Sequence, residues 1–276
     1  VISISSRQNR HYKRWLRVAR AAGGARSDAV LLEGIHLCSA WLQHYGAPEA
    51  ILLDETQLSQ HALQEFMSSF EDDAPIYALS RQLFQGLSDV VTTQGVMFLV
   101  ARPKAQPMAS INRTCVLLDR IQDPGNLGTI LRTIAALDIN EVYLTPGTVN
   151  AWSPKVLRSA QGAHFLTTIY EQVEFSKWLA NLQIPLAITL LNEQSRSLYD
   201  ADLQGPIAWA FGNESQGINP RWNEAATHQL IIPHAQQIES LNVSVAAAVC
   251  LFEHQRQNQQ NANLDASSCA DSNPPR

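Results

Sequence analysis

The sequence predicts an α/β protein of two successive units, the second built on a parallel sheet. Three observations predict it. Short apolar runs alternate with amphipathic stretches along nearly the whole chain. A polar stretch with two prolines, residues 102–112, interrupts that alternation. And 276 residues are enough for two ordinary hydrophobic cores.

The elements follow in order. Arg10, Lys13, Arg14 and Arg17 fall at i, i+3, i+4 and i+7, and Tyr12, Trp15, Leu16 and Ala19 repeat that spacing roughly opposite. One face can dock while the other presents cations, so a helix is expected at about 8–21. Strands at 29–32, 50–53, 76–79 and 95–101 alternate with helices at 34–44, 58–69 and 81–85. These make a small α/β domain over residues 1–105, and residues 106–112 read as a linker. The second domain, residues 113–256, has expected strands at 115–119, 142–145, 165–169, 186–191, 207–211 and 230–232. Its expected helices lie at 126–137, 154–160, 175–182, 219–227 and 243–255. Such alternation implies a parallel sheet covered on both faces. Residues 257–276 are polar and lack aromatics, and are expected to be disordered.

Charge is distributed unevenly. Residues 1–30 hold seven basic side chains and one acid, a local charge of +6, whereas the remainder carries −11. A basic end on an acidic body suggests a local contact with a polyanion. The cationic face of the first helix is either a solvated surface or a phosphate-contacting one. No apolar run approaches the ~20 residues of a membrane-spanning helix. The basic start has no apolar run after it, so no secretory leader is expected there. Cys38, Cys115, Cys250 and Cys269 form neither a CxxC pair nor a zinc spacing. Free thiols in a reducing cytoplasm are the simplest reading.

Three segments of the second domain can carry chemistry, each where a strand gives way to a loop or helix. Ligands bind at such junctions in open α/β sheets. LLDRIQDPGNLGTILRTIAA (117–136) offers Asn126 at a helix start and Arg132 farther along it. Asn126 could be only a cap, and Arg132 only half of an ion pair. The glycines do not form GxGxxG, so a dinucleotide site is not indicated. IAWAFGNESQGINP (207–220) sets Gly212 and Glu214 at the end of an apolar strand. A carboxylate there is either a ligand group or paired with a cation. LIIPHAQQIESLNVSVAAAVCLFEH (230–254) brings Ser240 and Asn242 to the start of a small-residue helix, where Ser240 could be only its cap.

Together, DPGNLGTILR, FGNESQG and IPHAQQIESLNVSVA closely resemble the three motifs of the SpoU (TrmH-like) family. These are S-adenosyl-L-methionine-dependent RNA ribose 2′-O-methyltransferases of the SPOUT class. The resemblance covers about residues 113–256. It implies a C-terminal SPOUT domain with a deep trefoil knot, and the first domain looks like the L30e-like substrate-binding domain of many such enzymes. It further implies that Gly212, Ile232 and Leu241, with Leu190, hold the methyl donor, and that the protein is a cytoplasmic homodimer. Asn126 would order the substrate ribose or phosphate, Glu214 would orient Arg132 or the partner strand, and Ser240 with Asn242 would shape the donor and hydroxyl pocket. Arg132 matches the arginine proposed to activate the ribose hydroxyl. Because a guanidinium is a poor base, it is read as either an orienting group or the base. No metal is expected. Arg10, Lys13, Arg14 and Arg17 would contact RNA, with 23S rRNA favoured over tRNA. A catalytically silent RNA-binding member of the fold is the other alternative. Two departures stand out: Leu137-Asp138 replaces Phe-Gly after the first motif, and Ser215-Gln216 replaces a glycine-containing step in the second.

Overall fold

The computed structural model describes the backbone of residues 1–21, 28–68, 74–106, 110–192, 195–235 and 237–270, and the side chains of these except Ala21 and 260–270. Residues 107–109 of the expected linker, 271–276 of the expected tail, Arg26 and the Cys269 side chain lie outside the described residues. The chain divides into two compact units, Val1–Lys104 with Asn150–Phe165, and Ala105–Val149 with Leu166–Arg276.

The first unit opens with β1 (Ile2–Ile4), a strand too short to be read from pattern. α1 (Arg10–Ala21), β2 (Ala29–Glu33), α2 (Ile35–Tyr45), β3 (Ala50–Asp54), α3 (His61–Ser68), β4 (Ile76–Leu79), α4 (Arg81–Gln85) and β5 (Val96–Ala101) follow. The sheet order is β1-β4-β3-β5-β2. β1, β4 and β3 run parallel, and β5 pairs antiparallel with both β3 and β2. β3 and β5 are central, and β3 is buried along its whole length. α1 buries Tyr12, Trp15 and Val18 in one core with Ile4, Leu52, Leu79 and Met97. Trp15 meets Tyr77 edge-on at 5.0 Å between ring centroids. The helical spacing read from the sequence is therefore the docking face.

The second unit begins with β6 (Cys115–Leu118), α5 (Pro124–Ala136) and β7 (Glu141–Leu144). The chain then adds Asn150–Phe165, with α6 (Pro154–Ala160), to the first unit. Its apolar residues explain this. Val156, Leu157 and Ala160 are buried, and Phe165 packs edge-on against Trp41 of α2 at 5.5 Å. Residues 150–165 thus pack apart from the domain to which the sequence reading assigned them. The strand expected at 165–169 is displaced for the same reason: 163–165 form a short 3-10 turn, and β8 (Thr168–Glu171) starts later.

The unit continues with α7 (Phe175–Asn181), β9 (Leu186–Thr189), β10 (Arg196–Ser197), β11 (Ala208–Phe211), α8 (Arg221–Ala225), β12 (His228–Ile231) and α9 (Val243–Ala270). The seven strands lie in the order β10-β12-β9-β11-β6-β7-β8, every pair parallel. β6 and β11, reading CVLL and AWAF, are buried throughout, as strands with both faces covered must be. Trp178, Trp222, Tyr143 and Ile188 fill one side. Ile111, at the end of the expected linker, is buried in that core and bridges to Leu182.

The tail departs from expectation. α9 runs to Ala270 through residues expected to be disordered. No glycine or proline interrupts the sequence from Val243 until Pro274. Gln257 and Asn258 also anchor the helix: their side-chain oxygens accept from the Leu203 and Gly205 N–H groups, each at 2.9 Å.

Candidate active site

Parallel strands end on the same edge of a sheet, and here β12, β11 and β6 carry the three candidate motifs on their carboxyl ends, with β9 between the first two. A cleft of about 750 Å³ opens there. Gly212, Ile232, Leu241, Leu190, Asn126, Glu214, Ser240 and Asn242 all line it. Arg132 does not.

One hydrogen-bonded chain joins the three motifs. Asn126 Nδ2 donates to Glu214 Oε1 at 3.1 Å, and Asn126 Oδ1 accepts from Asn242 Nδ2 at 2.9 Å. Asn242 Oδ1 in turn accepts from the Ser244 N–H at 2.9 Å and the Ser244 hydroxyl at 2.6 Å. Both caps considered from sequence fall elsewhere. Asp123 caps α5, its carboxylate accepting from the Asn126 N–H at 2.8 Å. That frees the Asn126 side chain for the cleft. Asn242, not Ser240, accepts from the first-turn N–H groups of α9.

Glu214 is exposed at the strand end, with no cation as its hydrogen-bond partner. Burial alone would raise its carboxyl. Hydrogen bonds from its own backbone, from the Asn126 amide and from the backbone N–H groups of Asp123 and Gln122 outweigh that, and hold it below the usual carboxylate range. Within its own chain Glu214 ties the second motif to the start of α5 rather than bonding to Arg132. Arg132 lies six residues beyond Asn126, about 120° away around the helix. It is exposed, on the side of α5 that also exposes Thr129 and Ala136.

Gly212 has a firmer reason than donor approach. A Cβ there would stand 2.1 Å from the Ile218 backbone nitrogen and 2.4 Å from the Gly217 carbonyl carbon. The second-motif loop folds back so tightly that no side chain fits. Asn213 organises that loop and was missed as a site residue. Buried itself, it donates to the Arg120 carbonyl at 2.9 Å and accepts from the Ser215 and Gln216 N–H groups, both at 2.9 Å. Its place in the GNES string was visible, but an inward side chain was not. His234 is also in the cleft wall, with Nδ1 2.6 Å from the Ile232 carbonyl oxygen. That oxygen can only accept, so Nδ1 carries the proton and Nε2 is left for other partners.

Apolar lining from Leu190, Leu191, Ile218, Ile232 and Leu241, together with the hydrogen-bonded polar chain, suits a ligand of nucleoside size. Among the described residues no cluster of three or more His, Cys, Asp or Glu side chains is placed to hold a metal ion. Nor is any described helix long and apolar enough to cross a membrane.

On α1, Arg10, Lys13, Arg14 and Arg17 are all exposed. One acid meets this face from outside the helix: Arg14 pairs with Glu49 at 2.7 Å.

Comparison with known proteins agrees with this geometry. Residues 113–252 match the SpoU rRNA Methylase family. An uncharacterised tRNA/rRNA methyltransferase of Synechocystis is 31% identical over 264 residues, covering 93% of this chain and 94% of that protein. The 23S rRNA (guanosine(2553)-2′-O)-methyltransferase RlmP of Bacillus subtilis is 30% identical, covering 90% of this chain and 97% of its own. The crystal structure of an RNA 2′-O ribose methyltransferase superposes with a TM-score of 0.75 at 27% identity, over 93% of this chain and 99% of that one. An AdoMet-bound rRNA methyltransferase from Sinorhizobium meliloti shares the fold, with a TM-score of 0.77 at 22% identity, over 92% of this chain and 97% of that one. With a parallel sheet whose strand ends gather all three motifs, and a family match spanning half its length, the chain belongs to the SpoU rRNA methylase family.

Proposed function

We propose that the protein transfers a methyl group from S-adenosyl-L-methionine to a ribose 2′-hydroxyl of ribosomal RNA. The observation that carries this is the Glu214–Asn126–Asn242 chain, which joins all three motifs along the wall of a nucleoside-sized cleft. The donor supplies an electrophilic methyl on a sulfonium, and displacement leaves a neutral thioether. Main-chain groups at Gly212, Ile232 and Leu241, with Leu190, would hold it. The deep trefoil knot implied by the family resemblance belongs to the same reading and would place the third motif around the donor.

The chain's own residues mainly position the partners, the largest share of catalysis open to them without a strong base. Asn126, fixed on both sides of its amide, would orient the substrate ribose or phosphate. Arg132 is exposed and does not line the cleft of its own chain. In a homodimer formed through α5 and α9 it would serve the partner's cleft, binding phosphate or acting on the hydroxyl. The exposed Val245 and Phe252, about two turns apart on one side of α9, supply apolar surface for that contact. The exposed cations of α1 would hold the RNA. The buried free thiols Cys38, Cys115 and Cys250 fit a reducing cytoplasm.

Calorimetric titration with S-adenosyl-L-methionine should show one site per chain. A mass-spectrometric map of rRNA from a strain lacking the gene should then miss one 2′-O-methyl nucleotide. A protein that binds no donor would overturn the reading, and a missing methyl on tRNA alone would overturn the choice of RNA.

A further inference from the structure

Arg120, between β6 and the first motif, sits in the left-handed region at φ +57°. Glycine enters that region freely and an arginine does not. The backbone work done here needs no side chain. The Arg120 N–H donates to Thr145 Oγ1 at 3.0 Å, and its carbonyl accepts from Asn213 at 2.9 Å. What arginine adds is its guanidinium. Nε lies 3.4 Å from the carboxylate of Asp119, which is 1% exposed. Nη1 donates to Gln216 Oε1 at 2.8 Å, and Nη2 reaches the Gly217 carbonyl at 3.5 Å. Asp119 is held in its turn, accepting from Thr145 Oγ1 and the Asn219 N–H, each at 3.0 Å.

Besides the Asn213 and Asn219 bonds at its base, the second-motif loop is thus fastened by a side chain on each flank. Glu214 ties its front to the first motif on the cleft side, and Gln216 ties its back to Arg120. Between the ties lies Ser215, and all three of these residues line the cleft.

We propose that Arg120, through Gln216, is a positioning residue that latches the second-motif loop into the shape the methyl donor binds. Arg120 itself is not among the residues lining the cleft and so acts through the loop. A loop that loses one flank tie populates other shapes, and donor affinity falls by the fraction of time spent in them. The inference rests on the proposed donor site.

Arg120→Gly removes the latch while suiting the local backbone, and Gln216→Ala removes it from the exposed end without touching Asp119. Each variant is expected to weaken S-adenosyl-L-methionine binding by calorimetry about 5–20-fold, the population effect of losing one fastening. The double variant should be no weaker than the poorer single one, since both remove one contact. Hydrogen exchange should quicken over 213–218, and saturating donor should recover turnover, which a general loss of folded enzyme would not allow. Parental donor affinity in Gln216→Ala, or additive losses in the double variant, would overturn the latch. If the parent protein binds no donor, the failure belongs to the proposed function instead.

Discussion

Two carboxylates show how differently the two units use polar groups. Glu33, ending β2 in the first unit, is driven up from its usual range by burial, which outweighs the Ser88 hydroxyl donating to it at 2.5 Å. Glu214, following β11 in the second, is held down because amides from three other residues converge on it. Glu33 lies on a mixed sheet whose strands run both ways, so polar ends are scattered and each is braced locally. Glu214 lies on a sheet whose strands all run one way, so several strand ends with exposed backbone groups meet at one edge. Strand direction, more than composition, separates a scaffold carboxylate from a site carboxylate.

The contrast is sharpest on α5, where a residue in the cleft and one outside it are expected to fail differently. Asn126→Ala strips a partner from both Glu214 and Asn242, and should lower methyl transfer at least ~100-fold, about 2.7 kcal/mol of transition-state stabilisation. Because the lost amide helps hold Glu214 down, the carboxyl should also move back toward its ordinary range by NMR titration. Arg132→Lys keeps a charge but loses the planar fork, and a similar fall in turnover is expected with donor affinity nearly unchanged. Near-parental turnover in the lysine variant would remove Arg132 from the machinery.

A smaller effect separates the units by pH. His164 lies in the first unit, its Nε2 2.7 Å from the Ala151 carbonyl oxygen. Burial, outweighing that hydrogen bond, pushes its pKa from 6.5 down to about 4. The unfolded chain therefore binds a proton below about pH 6.5 that the folded chain refuses until about pH 4. Stability from this group is complete above pH 6.5 and is lost as pH falls through that window, by about 2 kcal/mol at pH 5. His164→Asn should flatten the dependence of the denaturation midpoint on pH between 7.5 and 5. An unchanged slope would mean that His164 is not the group responsible. Some slope should persist in the variant, since burial also lowers His254 in the second unit.

The smallest effect concerns the cations of α1. Replacing Arg10, Lys13 and Arg17 by glutamine should reduce the salt dependence of RNA binding by about 2 in log–log slope, at ~0.7–0.9 per phosphate contact. Adding Arg14→Gln should change it less, because Glu49 already occupies that guanidinium. Parallel slopes for parent and triple variant would leave α1 a solvated face.

Much of this was legible in the residues. Helix α1 with its buried Tyr12 and Trp15, and most strands of both sheets, follow from local periodicity, which depends on neighbours a few residues away, and the three motifs from their resemblance to a family; the short β1 and β10 and the position of β8 do not. Eight of the cleft-lining residues were legible as well, all but Leu190 through the motifs they belong to, because parallel strands bring their ends together whatever the loops do. Only the tertiary structure decided what each of those side chains touches. Whether Asn126 caps a helix or bridges to Glu214 and Asn242 depends on residues 88 and 116 positions away. The removal of Phe165 from a strand into contact with Trp41, the pairing of Arg14 with Glu49 and the reach of Arg120 to Gln216 are contacts of the same kind. The chemistry of each residue is written at its own position, but its partner is selected by chain closure over long separations, and no local pattern encodes that.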